Sequence, residues 1–120
     1  MCFVSDVNSV PVVQWGRQIR LDGVLAPAGA NVNFVQVLSA AKLRVRTFEK
    51  GVEAETLACG TGALASALAA RFLNMVRDDF VTVHMQGGTL DVGITREGGS
   101  ISRLWLDGPA ATVCRGTFEW

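Results

Sequence analysis

At 120 residues the chain is one domain by length, and a domain of that size can bury a sizeable core without disulfide or metal staples. Eleven basic and eleven acidic residues cancel, which removes any general attraction to nucleic acid or to an anionic membrane and leaves a small neutral partner as the better fit. An apolar content of 49% is rich for a lone soluble domain, so some apolar surface is expected to be covered by another chain or domain.

The opening stretch "MCFVSDVNSV" has neither a basic nor an apolar leader pattern. No apolar run approaches the roughly 20 residues of a membrane helix, and the chain reads as cytoplasmic. Cys2, Cys59 and Cys114 are odd in number and widely spaced, so they are expected as free thiols rather than as a disulfide framework or a zinc site.

In chain order, "VPVVQW" (10–15) is short, apolar and β-branched and predicts a buried strand. "APAGAN" (26–31) has loop chemistry. "VNFVQVL" (32–38) and "KLRVRTFE" (42–49) alternate and predict a hairpin, with Leu43, Val45 and Thr47 on one side and Lys42, Arg44, Arg46 and Phe48 on the other. The period then changes: Ala63, Leu64, Ala67, Leu68 and Phe72 recur at helical steps, predicting one Ala-rich helix that ends near "NMVRDD". Four further strands are predicted over 80–85, 89–94, 101–106 and 111–118, with turns at Gln86-Gly87-Gly88 and Glu97-Gly98-Gly99-Ser100. Many antiparallel strands about one helix make a single α+β domain over residues 1–120.

The chemistry concentrates in "ACGTG" (58–62), at the start of that helix. A helix start leaves backbone N–H groups unpaired and carries the positive end of the macrodipole, so a thiol held there is a better base or nucleophile at neutral pH. Ala58, Gly60 and Gly62 let a ligand approach the backbone, and the N–H groups of Gly60, Thr61 and Gly62 can hold a carboxylate beside the Cys59 sulfur. The competing reading is a small cysteine buried in the core. A phosphate loop fits less well, because the spacing is short and Leu64 stands where a lysine would be needed.

"VRTFEKGVEAETLACGTGALASALA" resembles the second-cysteine segment of the diaminopimelate epimerase family. "VPVV", "GANVNFVQV", "VHMQGGTLDVGI" and "LWLDGPAATVCRG" resemble, in order, further segments of that family's C-terminal half, from about Val10 to the end. The resemblance implies an antiparallel sheet or barrel wrapped around one central helix. It also implies a cofactor-independent amino-acid racemase or epimerase, with a place in lysine biosynthesis, in which a cysteine from each of two pseudo-symmetric halves faces the substrate Cα. Carried over by residue, Cys59 is one acid/base, Gly60 and Thr61 hold the α-carboxylate, and Asn31, Glu49 and Lys50 line the pocket.

The departures are as informative. The family's N-terminal half, with its own cysteine, has no counterpart in this sequence; the family's Glu-Arg pair is Glu49-Lys50; and Val10 and Val12 replace polar pocket residues. One thiol cannot remove and return a proton on opposite faces of one carbon, so a partner is required. A homodimer bringing Cys59 opposite its symmetry mate is the simplest. The alternatives are a non-catalytic ligand-binding or interaction module, and a separated half whose mate is another chain.

Among the remaining residues, His84 is expected to be solvated or satisfied, and Lys42, Arg44 and Arg46 to form an exposed basic strand face rather than an anion site. Trp15, Trp105 and Trp120 are expected as core or interface anchors. Glu53 and Glu55 are expected to serve the start of the following helix as capping charges. Cys2 and Cys114 have no supporting neighbours.

Overall fold

The computed structural model describes residues 1–25 and 27–119. Ala26, the first residue of the predicted 26–31 loop, and Trp120 lie outside the described residues.

Among the described residues, seven strands and two α-helices build the domain. Strand β1 is Cys2–Phe3, and helix α1 is Val12–Arg20. The hairpin of β2 (Val32–Ser39) and β3 (Lys42–Glu49) leads to the short β4 (Ala54–Thr56) and then to helix α2 (Gly60–Phe72). The chain finishes as a meander of β5 (Phe80–Met85), β6 (Gly88–Glu97) and β7 (Ser100–Asp107). The strands lie in the order β1-β2-β3-β5-β6-β7, with β4 on β3. The class is α+β, as expected.

Three features differ from the sequence reading. First, the sheet is mixed, because β1 pairs with β2 and β3 pairs with β5 in parallel. It wraps around α2 but stays open, with β1 and β7 as its edges. Second, residues 10–15 are not a strand. Pro11 stands just ahead of a helical turn, where its missing N–H costs nothing. Val12, Gly16 and Ile19 then recur at helical spacing on one face of α1, with Gln14, Arg17 and Gln18 outside. Third, residues 111–118 are not a strand: they lie exposed and irregular, with Val113 at 95% and Phe118 at 84% exposure. An alternating segment becomes a strand only where a neighbour takes its ladder hydrogen bonds.

The sheet has a core on each face. Towards α2, Val35, Leu43, Val45, Val81, Val83, Val92 and Ile94 pack on Ala63, Ala67 and Ala70. Towards α1, Val7, Val10, Val12, Val32, Phe34 and Phe48 form a second cluster. Strand β3 serves both, so Phe48, on the side of the arginines, is fully buried. It presses so closely on Gly16 that a Cβ there would collide with its ring. At the other end of the meander, Gly98 and Gly99 have φ of +58° and +84°, as a two-residue type I′ hairpin turn requires.

Candidate functional site at the start of helix α2

Cys59 is the N-cap of α2, with extended φ and ψ of −144° and 103°. Its carbonyl accepts the first intrahelical bond, from Ala63 N–H at 2.9 Å. Its sulfur takes the capping position normally held by an oxygen, accepting from Gly62 N–H at 3.4 Å. The helix can begin this tightly because residues 60 and 62 lack side chains. A Cβ on Gly62 would collide with Asn33 Oδ1, and one on Gly60 would lie 3.1 Å from Leu106 Cδ2.

Two further groups turn towards the sulfur. Asn31 Nδ2 donates to it at 3.7 Å, and Thr61 Oγ1 lies 3.5 Å away. Asn31 is held by its other end, since Oδ1 accepts from Lys50 N–H at 2.9 Å, and this fixes which way the amide faces. Below it, buried Asn33 accepts from Thr47 Oγ1 at 2.8 Å and supports Gly62. The Asn31 and Gly62 N–H groups reach the sulfur as donors, and the Thr61 hydroxyl can donate or accept. Cys59 is 7% exposed and packs with the α2-side core, while Thr61 is exposed and Asn31 half-buried beside it.

The structure therefore brings Asn31, Cys59, Gly60 and Thr61 together. Lys50 joins them through its backbone N–H. Among the described residues, neither the Glu49 carboxylate nor the Lys50 ammonium has a hydrogen bond or ion pair to this cluster. A groove of about 730 Å³ lies elsewhere, along α1, lined by Pro11, Val13, Arg17, Leu21, Arg46 and Glu55. Asn33 was not singled out in the sequence; its place one β2 residue beyond the loop, in register with Thr47, was the available signal.

Glu53 and Glu55 do not serve the helix start, which is capped by Cys59 itself. Glu53 meets Arg20 at 2.5 Å. The Gly51 N–H first of all, with Arg20 and Arg17 adding to it against a desolvation cost, holds its carboxyl below the ordinary carboxylate value. Glu55 clasps Arg46 with both oxygens, at 2.6 and 2.7 Å. That hydrogen bonding, opposed by burial and aided by the opposite charge, raises the Arg46 guanidinium above its usual value. Arg46 also donates to the carbonyls of Val7 and Val10, so it ties down the N-terminal segment rather than forming an open basic face. His84 is satisfied in part by Thr89 Oγ1 at 3.1 Å. Trp15 is half-exposed beside Phe34, and Trp105 lies across Gly93 against Phe80, which makes both surface anchors rather than core residues.

The profile of diaminopimelate epimerase matches residues 1–113. The chain is 44% identical over 117 residues to the diaminopimelate epimerase of Methanocella arvoryzae, covering 98% of this chain and 39% of that protein. It is 46% identical over 114 residues to that of Methanothrix thermoacetophila, covering 95% and 37%. Among solved structures, a phenazine biosynthesis protein of the PhzF family from Bacillus anthracis superposes with a TM-score of 0.58 at 23% identity, over 82% of this chain and 31% of that one, and shares the fold. The chain thus spans about two fifths of the length of the curated relatives it matches. By the extent of the profile match, the chain belongs to the diaminopimelate epimerase family.

Proposed function

We propose that the chain supplies one wall of a cofactor-independent amino-acid racemase or epimerase site, with Cys59 as the acid/base on that wall. The Cys59 thiolate takes the α-proton of an amino acid whose carboxylate lies against the N–H groups of Gly60 and Thr61. The carbon–hydrogen electron pair passes into the carboxylate as an enolate-type system, stabilised by those donors and by the helix start. A thiol on the opposite side returns a proton to the other face, completing the inversion. Asn31, with Glu49 and Lys50 beyond it, lines the pocket. The observation that supports this reading is the Cys59 sulfur at the cap of α2, with Asn31 Nδ2 and Gly62 N–H turned on it and the exposed Thr61 hydroxyl beside it.

The opposite thiol comes from a second copy, in a homodimer whose twofold axis imitates the two halves of the longer enzymes. A second reading has its own support: because the relatives are more than twice as long, the missing wall can come from a separate N-terminal-half chain. The test is solvent deuterium entering the α-position of amino acids in a panel that includes diaminopimelate. Exchange by the chain alone, lost in Cys59→Ala, is expected for the homodimer. Exchange only after adding a separately expressed N-terminal half selects the second reading. No exchange in either arm overturns catalysis and leaves a binding module.

A further inference from the structure

On the sheet face opposite α2, two features that lie far apart in the sequence converge. Strands β3 and β5 are parallel neighbours with Arg44 in register with His84. Hydrogen-bonded neighbours lie about 5 Å apart, and side chains two apart on a strand share a face. Arg44, Arg46 and His84 therefore line one cleft of about 420 Å³, completed by Asn8, Gln86 and the intervening Val45 and Met85. Among the described residues no carboxylate lines it, and the one that engages Arg46, Glu55, lies outside the lining, so Arg44 carries the uncompensated charge of the cleft.

The cleft is also preformed. Arg46 is fixed by Glu55 and holds the carbonyls of Val7 and Val10, so the segment carrying Asn8 is strapped over the sheet as one wall. Arg44 has no hydrogen-bond or ion-pair partner among the described residues, although it is half-buried. His84 Nδ1 lies 3.1 Å from Thr89 Oγ1, and in the tautomer where Nδ1 accepts from that hydroxyl, Nε2–H is left to donate to another acceptor. A guanidinium fork and an imidazole N–H, held side by side on a sheet, match the oxygens of a small anion.

We propose that this cleft is a second binding site, separate from Cys59, for a small oxyanion or for the phosphate or carboxylate group of a larger ligand, with Arg44 and His84 as its principal donors. The probe is inorganic phosphate, with succinate in a parallel arm and sodium chloride holding ionic strength constant at fixed neutral pH. His84 is the chain's one histidine, so its ring resonances report on the site without ambiguity. Saturable shifts of those resonances are expected with phosphate, succinate or both, and the arm that saturates identifies the anion class. Arg44→Ala is expected to weaken binding about tenfold or more, and Arg44→Lys to fall between it and the parent, since a point charge replaces the fork. Cys59→Ala should leave the His84 titration unchanged. Shifts that grow linearly in both arms, or parental binding by Arg44→Ala with an otherwise native spectrum, overturn the proposal. If Arg44→Ala fails to fold, Arg44→Lys and Arg44→Gln carry the same comparison.

Discussion

At Cys59 one atom has two duties, because the sulfur proposed to move a proton also caps the helix that positions it. The duties separate on substitution. Cys59→Ala removes the capping acceptor and is expected to cost about 0.5–2 kcal/mol of stability in urea denaturation. Cys59→Ser keeps an acceptor of a better capping type and is expected to stay within about 1 kcal/mol of the parent. Both should abolish deuterium exchange, so the serine variant tests chemistry on an intact fold. Equal stability of the alanine variant would show that the cap contributes little. A second prediction concerns Glu53, whose folded-state carboxyl is depressed by Gly51 N–H and by Arg20. The contribution of a depressed group is present above its ordinary value of 4.5 and is lost as pH falls through the lower folded value. The stability difference between parent and Glu53→Gln should therefore shrink on acidification, as followed by urea midpoints from neutral to acid. A constant difference would assign the loss to something other than the ionised pair.

At the scale of elements, α2 was legible because its apolar residues repeat at helical steps after a glycine-flanked start, and its end was legible too. Asn74, at φ +57°, closes it in a Schellman arrangement, with Met75 N–H bonding Ala70 O at 2.8 Å and Asn74 N–H bonding Arg71 O at 3.2 Å. Helix α1 was missed because valines at 10, 12 and 13 look like a strand when the reading stops at Trp15. The amphipathic period emerges only when Gly16, Arg17, Gln18 and Ile19 are included. Arg46 was misplaced for another reason: its partners, Glu55 and the carbonyls of Val7 and Val10, are brought to it by tertiary folding that strand alternation cannot show. Among the proposed site residues, Cys59, Gly60 and Thr61 form one local motif, whereas Asn31 reaches the sulfur across 28 positions and was reached through family resemblance. Inside α2, Ser66 is fully buried with its hydroxyl unpartnered. Ser66→Ala relieves that group and improves helix propensity, so it should raise stability by about 1 kcal/mol in the same urea assay. A loss of stability would mean the hydroxyl has a partner in solution.

For the molecule as a whole, the radius of gyration is 15.7 Å, against about 13–14 Å for a compact chain of this length, and the exposed segment after β7 contributes to the excess. Helix α2 is apolar around its circumference, yet Phe72 is 82% exposed, and with Leu68, Ala69, Met1 and Ile101 it lines a hollow of about 370 Å³. A helix of that character is normally enclosed. The homodimer reading predicts twice the monomer mass of 12.8 kDa in size-exclusion chromatography with light scattering. A monomer at working concentration would transfer the missing wall to a separate chain. The open sheet of the isolated domain could not be foreseen in detail, since the sequence pattern of residues 111–118 shows a strand's alternation but not whether a neighbour is present to pair with it.

Strand β7 stands at the rim of the sheet, exposed along its whole length, with Ile101, Leu104, Trp105 and Leu106 on it. Its outer row of amides and carbonyls is a template on which any extended peptide can zip, including the same strand of a misfolded neighbour. With that margin exposed, the protein should lose solubility as it is concentrated, and a lysine introduced along it would act as a guard against fibrous precipitation.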